Sequence, residues 1–178
     1  MSAVRFACVF SLVICFAAVS SCGRSAQTYI DRAKRYCDEG KYEESALNAR
    51  KALQSDSRSG QAYYWLGLAE SKLGHEREAY ADLSRAVALL PQQDDPKIKL
   101  ADLVLQDYLL DSTRPALLYE QATKLSDQLL AKNPNAYHAL LIKTYLALTD
   151  RRPGVAVELR YTPLSRFITR VRSLVTVR

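Results

Sequence analysis

Residues 26–59, AQTYIDRAKRYCDEGKYEESALNARKALQSDSRS, and residues 60–93, GQAYYWLGLAESKLGHEREAYADLSRAVALLPQQ, fall into register when the sequence is shifted by 34. Tyr29 meets Tyr63, Ala33 meets Gly67 and Gly40 meets Gly74. Further on, Ser45 meets Ala79, Ala52 meets Ala86, Leu53 meets Val87, and Ser57 meets Pro91. A fixed period of this length marks an array in which one unit cannot bury its apolar face alone and must stack on its neighbours. Ala, Leu, Glu, Lys, Gln and Arg dominate residues 26–150, and these lose little side-chain freedom in a helix. The class is all-α.

The second block, with Tyr63, Leu66, Gly67, Gly74, Ala79, Ala86 and Pro91, resembles the tetratricopeptide-repeat (TPR) family. The first block resembles it too, with Arg32 in the large apolar slot and Ser57 in the proline slot. The resemblance implies a right-handed α-solenoid of antiparallel helix pairs that binds other proteins. Ala33/Gly67 and Ser45/Ala79 then lie where the two helices of a repeat cross, and small side chains let the backbones approach. Ala52/Ala86 let a second helix pack on the next repeat. Gly40 and Gly74 supply the left-handed turn that ends each first helix, and Pro91 stops a second helix.

A third repeat, about 94–134, is stretched: Pro91 and Pro134 are 43 residues apart. Its first helix is expected near Lys97–Leu109, and Ala122, Leu125, Leu129 and Pro134 restore the second-helix pattern. The surplus falls near Leu110–Tyr119, where Ser112 or Thr113 before Pro115 reads as a helix cap. It is either a longer turn with longer helices or a partner-specific loop. A fourth first helix follows at Ala136–Thr149, and the pattern fails at Tyr161, which leaves about three and a half repeats over 26–158 (26–59, 60–93, 94–134 and a partial 135–158). In the C-terminal tail, residues 159–178, Leu164, Phe167, Ile168, Val171, Leu174 and Val175 keep the spacing of one helical face, with Arg166, Arg170 and Arg172 opposite. This C-terminal amphipathic helix reads as a solenoid cap, a membrane-contact helix, or a truncated or frame-shifted end.

The N-terminus reads as an address. In MSAVRFACVFSLVICFAAVSSC, Arg5 precedes a mostly apolar run from Phe6 to Val19, shorter than the roughly 20 residues of a bilayer span. Val19-Ser20-Ser21-Cys22 resembles a bacterial lipoprotein signal, which implies a signal peptide over 1–21, lipidation of Cys22 and a short tether over 22–25. An ordinary cleaved secretory signal and an uncleaved anchor are the alternatives. Gly23 in place of Asp implies, by the same resemblance, the outer membrane and a domain facing the periplasm.

Net charge is +6, from 25 basic and 19 acidic residues. Seven Arg and only Glu158 lie in 151–178, which leaves 18 residues of each sign in 1–150. The basic excess belongs to the tail, so no nucleic-acid surface is expected on the body. No nucleophile elbow, phosphate loop, zinc-protease motif or dinucleotide fingerprint occurs. Cys8, Cys15, Cys22 and Cys37 have no metal-ligand spacing, and His75 and His138 stand apart from them and from each other. Glu43-Glu44 and Asp94-Asp95 read as solvated helix-start or turn residues, and Trp65 as core or groove lining. No enzyme activity, cofactor or metal is expected.

What remains is the concave face, which in this family is lined by first-helix residues. The resemblance implies Ile30, Lys34 and Cys37 in the first repeat, Tyr64, Leu68, Ser71 and Lys72 in the second, and Ile98, Asp102 and Leu105 in the third. Such a face suits an extended peptide or a partner helix. Ile30 and Trp65 stand where the polar clamp of chaperone-binding relatives would be. The sequence therefore points to a membrane-tethered adaptor of the bacterial envelope, serving secretion, pilus assembly, outer-membrane assembly or polysaccharide export. A regulator or accessory of cell-wall metabolism, and a cytoplasmic co-chaperone, are the alternatives.

Overall fold

The computed structural model describes residues 26–149, which form seven helices and, among the described residues, no strand. They are α1 (26–38), α2 (Tyr42–Ser55), α3 (Gly60–Lys72), α4 (Glu76–Leu89), α5 (Asp95–Leu110), α6 (Ala116–Lys132) and α7 (Tyr137–Thr149). The chain falls into two compact units that meet in sequence between Leu103 and Val104. Expectations for the signal segment, Cys22, the tether, Tyr161 and the tail lie outside the described residues.

In the first unit, the 34-residue period is visible in the backbone. Helix α1 ends with Lys41 N–H donating to the Tyr36 carbonyl at 2.8 Å and Gly40 N–H to the Cys37 carbonyl at 3.1 Å. Helix α3 repeats this, with His75 N–H to the Glu70 carbonyl at 2.9 Å and Gly74 N–H to the Ser71 carbonyl at 3.3 Å. Both are Schellman turns, and Gly40 (φ 74°) and Gly74 (φ 79°) hold the left-handed position they need. Second helices also end alike: the amides of Asp56, Leu90 and Asn133 donate to the carbonyls of Ala52, Ala86 and Leu129. Those ends are spaced 34 and then 43 residues, which recovers the stretched third repeat. Its surplus lies in longer helices, 16 and 17 residues against 13 and 14 in α3 and α4, and in a longer turn.

Small residues set the helix separations. Ala33, Ala46 and Ala49 are fully or almost fully buried with Leu66 and Ala69, and Tyr42, Leu53 and Trp65 pack against them. A second cluster joins Ile30, Ala52 and Ala62, again with Trp65 against it, so Trp65 belongs to the core. At the α3–α4 crossing, a Cβ on Gly67 would stand 2.8 Å from Leu83 Cγ and 3.0 Å from the Leu83 backbone nitrogen. Leu83 is 1% exposed, and burying such a side chain contributes about 2 kcal/mol.

The second unit differs in its turn. Pro115 takes the N-cap position of α6, and no side chain caps that helix. The expected cap at Ser112 or Thr113 is therefore corrected: Thr113 gives its amide and hydroxyl to Asp111 Oδ1 at 2.8 and 2.7 Å. That local turn uses up the threonine before the helix begins. Arg114 stands at φ 46° and donates to the Thr149 carbonyl at 3.1 Å, which satisfies an end carbonyl of α7. Tyr108 of α5 meets Tyr119 of α6 edge-on at 5.8 Å, and Lys143 of α7 pairs with Asp127 of α6.

Candidate interaction surface

The expected groove residues do not share one environment. Ile30 is 7% exposed inside the cluster with Ala52 and Ala62, and Leu105 is 8% exposed in the second unit. Neither offers a side chain to a partner, and both are struck from the surface. Ile30 is drawn inward to meet α2 of its own repeat and α3 of the next, where Ala52 and Ala62 leave room for a branched side chain.

Cys37, Tyr64 and Lys72 all lie in the first unit. Tyr64 is half-buried beside Trp65, with ring centroids 5.0 Å apart in an edge-on arrangement. Burial, together with the negative charges of Asp95 and Cys37, pushes its hydroxyl up to about 12. Burial first, and then Asp38, raises the Cys37 thiol, while Lys72 and a hydrogen bond from Ser45 pull the other way. Tyr64 is thus a neutral phenol with an apolar ring, and Lys72, about two turns further along α3, is an exposed cation. Lys34 is exposed, and Leu68, Ser71, Ile98 and Asp102 are half-buried. Asp102 lies 4.0 Å from Lys99 one turn away.

A polar junction behind this face has no counterpart among the residues expected from the sequence. Glu70, whose side chain is 2% exposed, accepts from Arg50 of α2 at one carboxylate oxygen and meets His75 Nδ1 with the other. Asp82 of α4 is half-buried, and burial first, then the Glu70 charge, pushes its carboxyl up to about 6. The visible hint is one of register: Glu70 aligns with Tyr36 at the 34-residue shift, an acid where the first repeat has an aromatic ring.

Among the described residues, no three His, Cys, Asp or Glu side chains are grouped to hold a metal ion, and no helix is long and apolar enough to cross a membrane.

No protein-family model matches the chain. A stretch of 72 residues, 40% of the chain, is 39% identical to Sperm-associated antigen 1 of Rattus norvegicus, of whose length it spans 8%. Solved structures match more of it. A thermophilic TPR protein of Thermus thermophilus aligns with a TM-score of 0.62 at 21% identity, covering 76% of this chain and 72% of that one. MamA RS-1, as an ArsTM double mutant, aligns at 0.63 and 16% identity over 75% of this chain and 70% of its own. The first TPR of Spaghetti (RPAP3), solved with an HSP90 peptide, aligns at 0.56 and 18% identity over 76% of this chain and 94% of its own. The fold is that of TPR arrays.

Proposed function

We propose that this protein is an interaction adaptor of the bacterial envelope, tethered to the membrane by lipid on Cys22, that holds a protein partner along the face bearing Tyr64. The observation that carries the reading is the half-buried Tyr64 ring set edge-on against Trp65 on a TPR scaffold, with the exposed Lys72 on the same helix. An aromatic ring held in place by Trp65 presents contact area at little entropic cost, and aromatic anchors dominate the energy of such interfaces. Lys34 and Lys72 add attraction for an acidic partner that salt weakens. Val19-Ser20-Ser21-Cys22 supports the tether, and Gly23, Arg24 and Ser25 would keep the repeats within roughly 10 Å of the lipidated residue.

Buried Ile30 supports a ligand unlike the HSP90 peptide carried by the Spaghetti domain, because its position would have to present a polar group. Partner capture from envelope extract should fall more than tenfold in Tyr64→Ala, about 1.4 kcal/mol, with helical content unchanged. Equal loss of stability and binding would return Tyr64 to the core and end the groove reading. Labelled fatty acid should enter the wild-type chain and not Cys22→Ala. If both label alike, or neither does, the tether is wrong. Capture from cytoplasmic extract by an unlabelled chain would favour the co-chaperone alternative.

A further inference from the structure

Helix α7 is apolar on two sides. Apart from His138, Lys143, Thr144 and Thr149, its residues are Ala, Leu, Ile and Tyr. Ala139, Ile142 and Leu146 are buried, and α7 packs on α6. A second stripe, Tyr137, Leu141, Tyr145 and Leu148, keeps the i, i+4, i+8, i+11 spacing of one helical face. Tyr137 is 48% and Leu148 50% exposed, and Leu141 and Tyr145 are half-buried. By the 43-residue step from Pro91 to Pro134, Leu141, Tyr145 and Leu148 correspond to Ile98, Asp102 and Leu105, the residues expected on the concave face of the third repeat. A helix that stands at a surface keeps its outer face polar, so α7 calls for cover on this stripe. The equivalent helix α3 is covered by both α2 and α4.

We propose that residues 163–175 of this chain lie as an amphipathic helix along the Tyr137–Leu148 stripe, so that the second unit carries its own ligand. The apolar run from Leu164 to Val175 covers eleven residue steps, as does the stripe from Tyr137 to Leu148, roughly 16 Å each in a helix. The departure point is fixed, because Arg114 holds the Thr149 carbonyl at 3.1 Å, next to Leu148. Residues 150–162 then span up to about 45 Å, enough to run the helix along α7 in either direction. Charge agrees with this placement. Lys143 of α7 is paired with Asp127 of α6, and no charged side chain stands on the stripe. Arg166, Arg170 and Arg172, opposite the apolar run, would therefore stay in water and meet no cation. Leu110 and Leu117 are more exposed, at 72% and 63%, but they stand on two helices either side of a turn and form no stripe. The placement is independent of what the Tyr64 face binds.

The test follows amide hydrogen exchange of residues 164–175 in the full chain and in its Leu148→Asp variant. In the wild type this segment should exchange more than about tenfold slower than a free peptide of the same sequence, and Leu148→Asp should lose that protection. Phe167→Ala gives a second reading that leaves α7 itself untouched. It should shift the methyl resonances of Leu141 and Leu148 and leave those of Leu83 in the first unit in place. Exchange in the wild type at the rate of the free peptide overturns the proposal. Protection that survives Leu148→Asp overturns it too, as does protection lost on dilution, which would mean a second copy. Protection that appears only with phosphatidylglycerol vesicles would assign the segment to a membrane surface instead. Shifts at Leu110 and Leu117 in place of α7 would put the segment on the wrong edge and end the proposal.

Discussion

In the hairpin α1–α2, Tyr36 stands in the last turn of the first helix, and Lys41 lies 5.9 Å over its ring. In the hairpin α3–α4, the same two positions hold Glu70 and His75, joined by a hydrogen bond out of reach of water on the carboxylate side. The backbones around these pairs make the same two Schellman hydrogen bonds. One architecture therefore carries a half-exposed cation–aromatic contact in its first copy and a shielded ionic junction in its second. The period prescribes where backbones approach and turn; the positions it leaves free take on separate chemistry. Substitutions at equivalent positions separate what the hairpins share from what they do not.

The largest difference should come from the helix crossings. Gly67 has no room for a Cβ, because the nearest obstacle includes the Leu83 backbone, which cannot rotate away. Ala33, its equivalent in the first hairpin, already carries a Cβ in a fully buried site. Gly67→Leu should cost about 3 kcal/mol or more through overpacking, and Gly67→Ala a sizeable part of that. Ala33→Gly should cost only about 1 kcal/mol, from helix propensity. Denaturant midpoints of the three variants give the ranking. An unchanged midpoint for Gly67→Leu would mean that α3 and α4 do not cross at Gly67.

The turns should show no such difference. A Cβ at Gly40 or Gly74 meets nothing within 4 Å, so only the left-handed backbone resists substitution. Gly40→Ala and Gly74→Ala should each cost about 1 kcal/mol. A much larger cost at Gly74 alone would show that the Glu70–His75 junction depends on the turn beyond its φ angle.

Those shared features are the ones the sequence discloses. The repeat length, the glycine turns and the small residues at crossings follow from backbone requirements that only a few residue types meet. Helix α7 is expected at Ala136–Thr149 and found at Tyr137–Thr149 for the same reason. Side-chain destinations are less legible. Ile30 and Tyr64 are equivalent at the 34-residue shift, yet one is buried with Ala52 and Ala62 and the other is half-buried, edge-on to Trp65. What surrounds each depends on residues distant in sequence: Ile30 packs with Ala52 and Ala62, and the charges that act on Tyr64 come from Asp95 and Cys37. The Glu70 junction is hidden in the same way, because Arg50 is 20 positions away and only the packing of α2 on α3 brings it near. At Thr113, a local bond to Asp111 competes with capping, and the sequence does not say which wins.

The smallest effect concerns a bond that the first hairpin has and the second lacks. Ser45 donates to the Ala33 carbonyl at 2.8 Å, with both residues fully buried, and so ties α2 to α1. At the equivalent place the second hairpin has Ala79, which cannot make such a bond. Ser45→Ala would therefore make the first crossing resemble the second. The Ala33 carbonyl lies inside a helix and keeps its backbone partner, so no buried acceptor is orphaned. The loss is then that of one neutral hydrogen bond, about 0.5–1.5 kcal/mol, partly offset by the better helix propensity of alanine. The net change should be under about 1 kcal/mol, or about 3 °C in the melting temperature. A second consequence is chemical. When Cys37 ionises, the Ser45 hydroxyl can turn from the Ala33 carbonyl to the thiolate, which lowers the thiol's pKa against the burial that raises it. Without that bond the thiolate becomes scarcer, and since the thiolate is the nucleophile, Cys37 should be alkylated more slowly at a fixed pH. Peptide mapping after brief alkylation reads this at Cys37 separately from the other cysteines. Faster alkylation with a large drop in stability would show that Ser45 holds the crossing together, and the two hairpins would then differ in their shared frame as well.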